Sequence, residues 1–229
     1  MRANFARFLA TGILAKRRTM TIILASSNAG KLKEFKEFLK DFEVRNYSEF
    51  IAPFEIEENG ADFKENALIK ARAVYKALKS QNPEALKNAV ILSDDSGISV
   101  KALGGAPGIY SARYSSDIVE HPTEASNRAK LKSELDKKGV FSSPAFYTAA
   151  IAAISDIGGF SEHVELGFMH GSAIADERGE NGFGYDFMFI PQGYELTIGQ
   201  LSTQTKEALS HRTQALRAIL PHLKALAKG

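Results

Sequence analysis

A short polar stretch near the start of the chain has the composition of an anion-binding corner. It reads Ser26-Ser27-Asn28-Ala29-Gly30-Lys31 and lies between the β-branched apolar run 21–25 and the run 32–39, whose apolar residues recur every three or four positions. The first run predicts a buried strand and the second an amphipathic helix. Backbone N–H groups at such a helix N-terminus, with a lysine beside them, suit a phosphate group. An N-capped helix with a solvated lysine accounts for the same residues.

This stretch does not form a P-loop of the Walker A type. That loop requires Gly-x-x-x-x-Gly-Lys-Ser/Thr. The chain has Ala25 where the first glycine would stand and Leu32 where the metal-binding hydroxyl would stand. We therefore do not expect a P-loop kinase or ATPase.

Two adjacent acids form a second candidate site. Asp94 and Asp95 follow the apolar run 89–93, which predicts a buried strand ending there, and precede Ser96 and Gly97. Neighbouring strand residues face opposite sides, so only one of the two acids should share a site with a given loop. A carboxylate at a strand end is well placed to hold Mg²⁺, and we favour that interpretation. The ordinary alternative is an Asx turn that ends the strand.

Other charged residues can share a functional site only if the fold brings them to the same cleft. Glu58 precedes a helix predicted from about residue 62, where an acid also suits the helix dipole. Lys70 lies on that helix, where a lysine usually extends its ammonium group into water. Lys206 and the pair His211-Arg212 fall in a predicted final helix. They form either a solvated cationic surface or a second phosphate-binding arm.

An aromatic segment follows a glycine-rich loop. It reads Phe183-Gly184-Tyr185-Asp186 and precedes a strand predicted at 187–190. Two aromatic faces and one acid beside a flexible loop suit stacking on a flat ring. Core packing at the start of a strand explains the aromatic residues equally well.

The elements that would position these residues indicate an α/β fold. A short strand is predicted at 43–47, and a hairpin by the runs 146–154 and 163–170 around a glycine turn. Helices are predicted from about 62 to a break at 82–83, at 122–138 and from about 206. Parallel-type strands early and a hairpin later predict a mixed twisted sheet flanked by helices.

Composition excludes several classes of protein. The 229 residues, 44% of them apolar, suit a single α/β domain at 20–229. With no cysteine there is no disulfide or thiolate metal site, and a reducing, cytoplasmic setting is expected. No apolar run approaches the roughly 20 residues that a membrane span needs.

The basic residues are unevenly distributed. Residues 1–19 hold five of the 29 basic residues and none of the 27 acidic ones, so the remainder carries 24 basic and 27 acidic residues, a net charge of −3. A body of that charge does not predict nucleic-acid binding. The leader could be a targeting segment, an extra surface helix or a product of start-codon choice. We expect Met20 to be the true start, because the first core strand begins at Thr21.

In order along the chain, these motifs resemble the inosine/xanthosine triphosphate pyrophosphatases, and the resemblance spans about residues 21–226. The matching positions are Ser26, Asn28 and Lys31; Glu58; Glu65-Asn66-Ala67 with Lys70-Ala71; Asp94-Asp95-Ser96-Gly97; the run Gly104 to Tyr114; Gly182 to Asp186; and Lys206 with Ser210-His211-Arg212.

The resemblance implies an elongated fold of two lobes around a central substrate cleft, a homodimer, and Mg²⁺-dependent hydrolysis of ITP, dITP or XTP to the monophosphate and pyrophosphate. It implies that Glu58 and Asp95 hold the metal and that Asp95, with Lys70, is catalytic. The implied substrate-binding residues are Ser26, Ser27, Asn28, Ala29, Gly30, Lys31, Ser96, Phe183, Gly184, Tyr185, Asp186, Lys206, His211 and Arg212. Of these, His211 and Arg212 are the candidates that read the base, as cations or N–H donors.

Two positions depart from the family pattern. Phe187 stands where proline often follows the Tyr-Asp pair, and Thr205 stands where glutamate usually precedes the lysine. The second departure bears on how Lys206 is oriented. The alternatives are a related pyrophosphatase for pyrimidine or modified nucleotides, and a nucleotide-binding module without catalysis.

Overall fold

A six-stranded mixed sheet forms the centre of the protein. The computed structural model describes residues 20–228, so the predicted basic leader lies outside the described residues. The strands are β1 (Thr21–Leu24), β2 (Glu43–Asn46), β3 (Ala89–Val100), β4 (Ser142–Ser155), β5 (Ser161–Ile174) and β6 (Phe189–Pro191). They are ordered β2-β1-β3-β4-β5-β6. β1 runs parallel to β2 and β3, and the other pairs are antiparallel. The mixed α/β sheet is confirmed, whereas the division into two lobes stays a prediction.

Within the described part of the chain, five α-helices flank the sheet. They are α1 (Ala29–Phe38), α2 (Phe63–Gln81), α3 (Glu124–Lys137), α4 (Thr203–Leu209) and α5 (His211–Lys228). The first four begin after a capping side chain that accepts a backbone N–H bond, from Asn28, Asp62, Thr123 and Ser202 respectively. Such caps satisfy N–H groups that a helix N-terminus leaves unpaired. Within residues 20–228 no helix combines the length and apolar character needed to cross a bilayer.

Helices cover both faces of the parallel part of the sheet. On one face, Phe35 of α1 and Ile219 of α5 pack with Ile22 of β1. On the other, Val74 of α2 packs with Ile23 of β1. This double coverage explains why β1 is a continuous apolar run rather than an alternating one.

The third strand is longer than its sequence indicates. We expected it to end at Asp94 and Asp95, but β3 continues to Val100 because β4 pairs with it along that length, Asp94 opposite Ile151 and Asp95 opposite Ala150. The residues from Asp94 to Gly97 by themselves suggest a turn, but hydrogen bonding to β4 keeps them extended. Because the two acids stay in extended backbone, their side chains point to opposite faces of the sheet.

The C-terminal region also differs in detail. The single predicted final helix is divided at Ser210, whose ψ of 125° ends α4 so that α5 starts at His211. The predicted strand at 187–190 begins later, since Asp186–Met188 forms a 3₁₀ turn before β6. The predicted hairpin is confirmed as β4 and β5.

Candidate active site

The loop between β1 and α1 is held in place by its own polar groups. Asn28 Oδ1 accepts the Lys31 backbone N–H at 3.1 Å, and Ser26 Oγ accepts that of Asn28 at 3.2 Å. Asn46 donates to the Ser26 carbonyl at 2.7 Å. Ser27 and Gly30 are exposed. The loop, with Ala29 as the first residue of α1, is therefore a capped helix start with exposed residues, an arrangement that suits an anion.

Lys31 does not extend into solvent, as the interpretation of this stretch as a simple N-capped helix would require. Its ammonium nitrogen lies 2.5 Å from Asp94 Oδ2, and the Asp94 side chain has no exposed surface. Arg212 approaches the other carboxylate oxygen of Asp94, with its Nε 3.3 Å away. Burial alone would raise the pKa of Asp94, but the charges of Arg212 and Lys31 overcome it and hold that pKa far below its usual range. Asp94 is therefore an anionic anchor for two cations.

Arg212 is bound from three sides. Besides Asp94, it donates to Glu34 Oε2 at 2.6 Å and to Ser96 Oγ at 3.1 Å. The sequence analysis missed Glu34, whose position one turn after Lys31 on the same helix was its only signal. Burial opposes the charge of Arg212, but Asp94 and Glu34 raise its pKa. The guanidinium group is thus a fixed cation, oriented by its partners.

On the other face of β3, two carboxylates share one lysine, whose side chain is 12% exposed. Lys70 Nζ lies 2.7 Å from Glu58 Oε2 and 3.0 Å from Asp95 Oδ1. Burial works against the charge of Lys70, but the two carboxylates raise its pKa. Burial raises the pKa of Asp95, an effect that the charge of Lys70 partly offsets. The structure thus brings together the three residues for which we predicted metal binding and catalysis.

The backbone around Glu58 is fixed by residues of other elements. Arg113 donates to the Glu58 carbonyl at 3.2 Å, and the Gly60 N–H donates to the buried Asn66 Oδ1 at 2.8 Å. A Cβ at Gly60 would overlap the Asn66 side chain, so glycine allows this close approach. Neither Arg113 nor Asn66 was given a role from sequence, although both lie within the matched motifs.

A cavity of about 390 Å³ lies on the Asp94 side of β3. Its lining includes most of the predicted substrate-binding side chains, namely Asn28, Lys31, Ser96, Phe183, Tyr185, Asp186, Lys206, His211 and Arg212, with the backbone of Gly184. Glu58, Lys70 and Asp95 are not part of this lining. The loop after β1 lies beside both regions, because its Ala25 N–H bonds to the Leu92 carbonyl just before the two acids.

The aromatic segment forms one wall of this cavity. Tyr185 donates to the Ser111 carbonyl at 2.8 Å and is buried, whereas Phe183 is 47% exposed. Lys206 Nζ lies 2.5 Å from Asp186 Oδ2 and 4.5 Å from the Phe183 ring centroid. Burial raises the pKa of Asp186, although the charge of Lys206 opposes it. These contacts orient Lys206 although the usual preceding glutamate is replaced.

The two departures from the family pattern have local partners. Thr205 Oγ1 lies 2.9 Å from Ser202 Oγ at the start of α4. The guanidinium of Arg128 lies 4.8 Å above the Phe187 ring. Neither contact displaces a side chain of the cavity wall.

His211 is neutral. Burial lowers its pKa to about 3, and the nearby Arg212 charge adds to the effect. Its ring stacks on Tyr147 with 4.8 Å between centroids and 16° between planes. Of the two alternatives for His211, a cation or an N–H donor, only the neutral donor is compatible with this environment. Tyr147 had no signal in the sequence beyond the alternation of its strand.

This is an α/β protein in which paired acids, fixed cations and aromatic rings gather around one strand. Comparison with known proteins places it more narrowly. The sequence profile of the Ham1 family matches residues 22–222. A dITP/XTP pyrophosphatase from Campylobacter hominis is 56% identical over 207 residues, covering 90% of this chain and 98% of that protein. One from Campylobacter jejuni subsp. jejuni is 53% identical over 210 residues, covering 92% and 100%.

Solved structures agree with the sequence comparison. The structure of the Staphylococcus aureus Ham1 protein matches with a TM-score of 0.76 and 35% identity, covering 90% of this chain and 98% of that one. A HAM1 protein from Coxiella burnetii has the same TM-score at 34% identity, covering 90% and 99%. The chain belongs to the Ham1 family. Its resemblance to the triphosphate pyrophosphatases is confirmed, and it is an enzyme.

Proposed function

We propose that this enzyme hydrolyses non-standard purine nucleoside triphosphates, namely dITP, XTP and ITP, to the monophosphate and pyrophosphate with Mg²⁺, and so cleanses the nucleotide pool. The names of the relatives support the substrate class. The observation that carries the chemistry is the pair of carboxylates, Glu58 and Asp95, held on Lys70 beside the loop that ends in Lys31.

The residues present fit a magnesium ion. Asp95 Oδ2 is buried and has no hydrogen-bond partner among residues 20–228, so one carboxylate oxygen is available for a ligand. In that part of the chain no three acidic, histidine or cysteine side chains converge as a closed metal cage. Mg²⁺ usually takes one or two carboxylates, and substrate phosphates and waters complete its shell. Glu58 and Asp95 would hold it. When bound, it would offset phosphate charge and lower the pKa of a coordinated water.

The chain's own residues account for the remaining steps. Asp95, whose pKa is raised by burial, accepts the proton of the attacking water. The water oxygen bonds to the α-phosphorus, and the bond to the oxygen that bridges the α- and β-phosphates breaks, releasing pyrophosphate. Lys31 and the N–H groups at the start of α1 bind the phosphates. Lys70 fixes both carboxylates. No protein nucleophile is required.

Base selection follows from the donors in the cavity. Hypoxanthine and xanthine present an acceptor oxygen at position 6, where adenine presents an amino donor. The cation Arg212 and the neutral His211 line the cavity as hydrogen-bond donors. Adenine would leave buried donors facing a donor, which discriminates strongly. Phe183 supplies a ring face for stacking.

A nucleotide panel tests the proposal. Purified protein with Mg²⁺ is given ITP, dITP, XTP, ATP, dTTP and dUTP, and pyrophosphate and phosphate release are scored separately. We expect pyrophosphate from the first three and little turnover without Mg²⁺. Preferred turnover of dTTP or dUTP would instead indicate a pyrimidine nucleotide enzyme, and ITP binding without turnover a non-catalytic module.

Asp95→Asn isolates the chemical step. We expect turnover to be lost while ITP binding, measured by calorimetry, largely persists. Asp117→Asn is the matched control, because Asp117 pairs with Lys130 at 2.5 Å on the surface. A near-normal rate in Asp95→Asn would place the proton acceptor elsewhere.

We also propose that the enzyme is a homodimer that acts in the cytoplasm on free nucleotides, and that it binds neither nucleic acid nor membrane. Light scattering of the purified protein tests the first point, with a monomer at micromolar concentration as the contrary result.

A further inference from the structure

Tyr147 occupies the middle of the sheet, in the wall of the cavity. It lies on β4, opposite Ile98 of β3 and Met169 of β5, and it is 93% buried, with a relative exposure of 7%. Its ring packs edge-to-face with Phe189, with 4.9 Å between centroids, and stacks on His211. The ring is therefore fixed by packing, so the direction of its hydroxyl group is set by the fold.

Two polar groups of this stacked pair are incompletely hydrogen-bonded. Both atoms are buried, and among residues 20–228 no acceptor takes the proton of the Tyr147 hydroxyl and no group pairs with His211 Nδ1. The backbone N–H of Tyr185 points at the Tyr147 oxygen, but as a donor it cannot accept that proton. By contrast, the Tyr185 hydroxyl in the same wall donates to the Ser111 carbonyl. An unpaired buried polar group costs about 1–3 kcal/mol. Two such groups side by side are uncommon in a native core, and a ligand in the cavity is one way to satisfy them.

Both groups are in the protonation state that a neutral acceptor requires. Burial raises the pKa of Tyr147 well above its usual value, so its hydroxyl keeps its proton. His211, with its pKa lowered to about 3, is a neutral imidazole with one N–H. A carbonyl oxygen has two lone pairs and accepts from two donors. The two rings stack with 4.8 Å between centroids, and both residues line the cavity.

We propose that Tyr147 is a specificity-determining residue whose hydroxyl, beside His211, donates to the 6-oxo oxygen of the purine base. This inference rests on the proposed function and adds a residue to it. It explains why a tyrosine with an unsatisfied hydroxyl stands at a position where phenylalanine would pack as well.

Tyr147→Phe tests this inference with two substrates. With ITP, we expect a roughly tenfold loss of kcat/KM, mostly through a higher KM, since one hydrogen bond is lost. With purine riboside triphosphate, which lacks the 6-oxo group, wild type and variant should have equal kcat/KM. Tyr75→Phe is the control, because the Tyr75 hydroxyl pairs with Asp156 away from the cavity.

A stability measurement separates recognition from packing. Removing an unpaired hydroxyl should leave the melting temperature of the free variant equal to or above that of the wild type. A lower melting temperature, or an equal loss with both substrates, would assign Tyr147 a structural role and overturn the inference.

Absence of pyrophosphate release from ITP by the wild type would instead refute the proposed function. In that case the shift in melting temperature caused by ITP binding replaces kcat/KM, and an equal shift in wild type and Tyr147→Phe would refute the inference.

Discussion

Asp94→Asn removes the one negative charge that Lys31 and Arg212 share in the interior. The substitution keeps the shape of the side chain but leaves Arg212, whose side chain is 6% exposed, with Glu34 as its remaining anionic partner. Breaking a buried ion pair by deleting one partner costs about 3–5 kcal/mol, because the other charge stays buried and loses the attraction that offset its burial. For a protein of this size, each kcal/mol lowers the melting temperature by roughly 2–4 °C. We therefore expect a decrease of roughly 6–20 °C.

The pH dependence of the free energy of unfolding provides a second test of this prediction. The pKa of Asp94 is lowered in the folded protein, so its contribution is complete above the pKa of an unfolded aspartate, near 3.9, and is lost as pH falls toward the folded value. The difference in unfolding free energy between wild type and Asp94→Asn should therefore be the same at pH 7 and pH 5. It should shrink only below about pH 4.

Urea unfolding of both proteins at these pH values measures the effect. Asp117→Asn is the matched control, because its ion pair with Lys130 has the same 2.5 Å length as that of Asp94 with Lys31, but the Asp117 side chain is 64% exposed. Exposed pairs contribute little. If the two substitutions destabilise the protein equally, burial does not set the strength of this ion pair and the reasoning is wrong.

Three further predictions concern other parts of the structure. The folded pKa of His211 is about 3, below the unfolded value near 6.5, so the free energy of unfolding should fall by about 1.4 kcal/mol per pH unit as pH decreases between these values. Urea unfolding of His211→Asn should lack this slope, and an unchanged slope would show that His211 is not the titrating group. A Cβ in Gly167→Ala would overlap the His211 carbonyl oxygen, so we expect the free energy of unfolding to fall by about 1–3 kcal/mol and kcat/KM to decrease. An unaltered melting curve would show that α5 can move away from β5 without loss of stability. Thr123→Ala removes the capping box of α3 and should cost about 1 kcal/mol in urea unfolding, whereas Thr123→Ser should not; equal losses would exclude the cap as the cause.

Most of the elements could be read from the sequence because their signals are local. The apolar runs of β1 and the β4–β5 hairpin, and the capping residues of α1 and α2, depend on neighbours a few positions away. The errors occurred where distant chain segments decide. β3 continues through Asp94 to Gly97 because β4 supplies a ladder, which no local pattern at those residues indicates. The break in the final helix is different, because it is local: the Ser210 hydroxyl accepts the Thr213 N–H at 3.3 Å and so caps α5, a signal that the sequence analysis missed.

The residues available for chemistry are evident from their types and order along the chain: two adjacent acids after an apolar strand, a capped loop that ends in lysine, and an ordered set of motifs that identify the family. How these residues are grouped depends on the fold. The fold places the buried Asp94 between Lys31 and Arg212, holds Asp95 with Glu58 on Lys70, and brings Tyr147 against His211. The physical reason is that residue type and spacing are properties of the chain, whereas burial, charge pairing and the presence of a hydrogen-bond partner depend on which strands and helices meet.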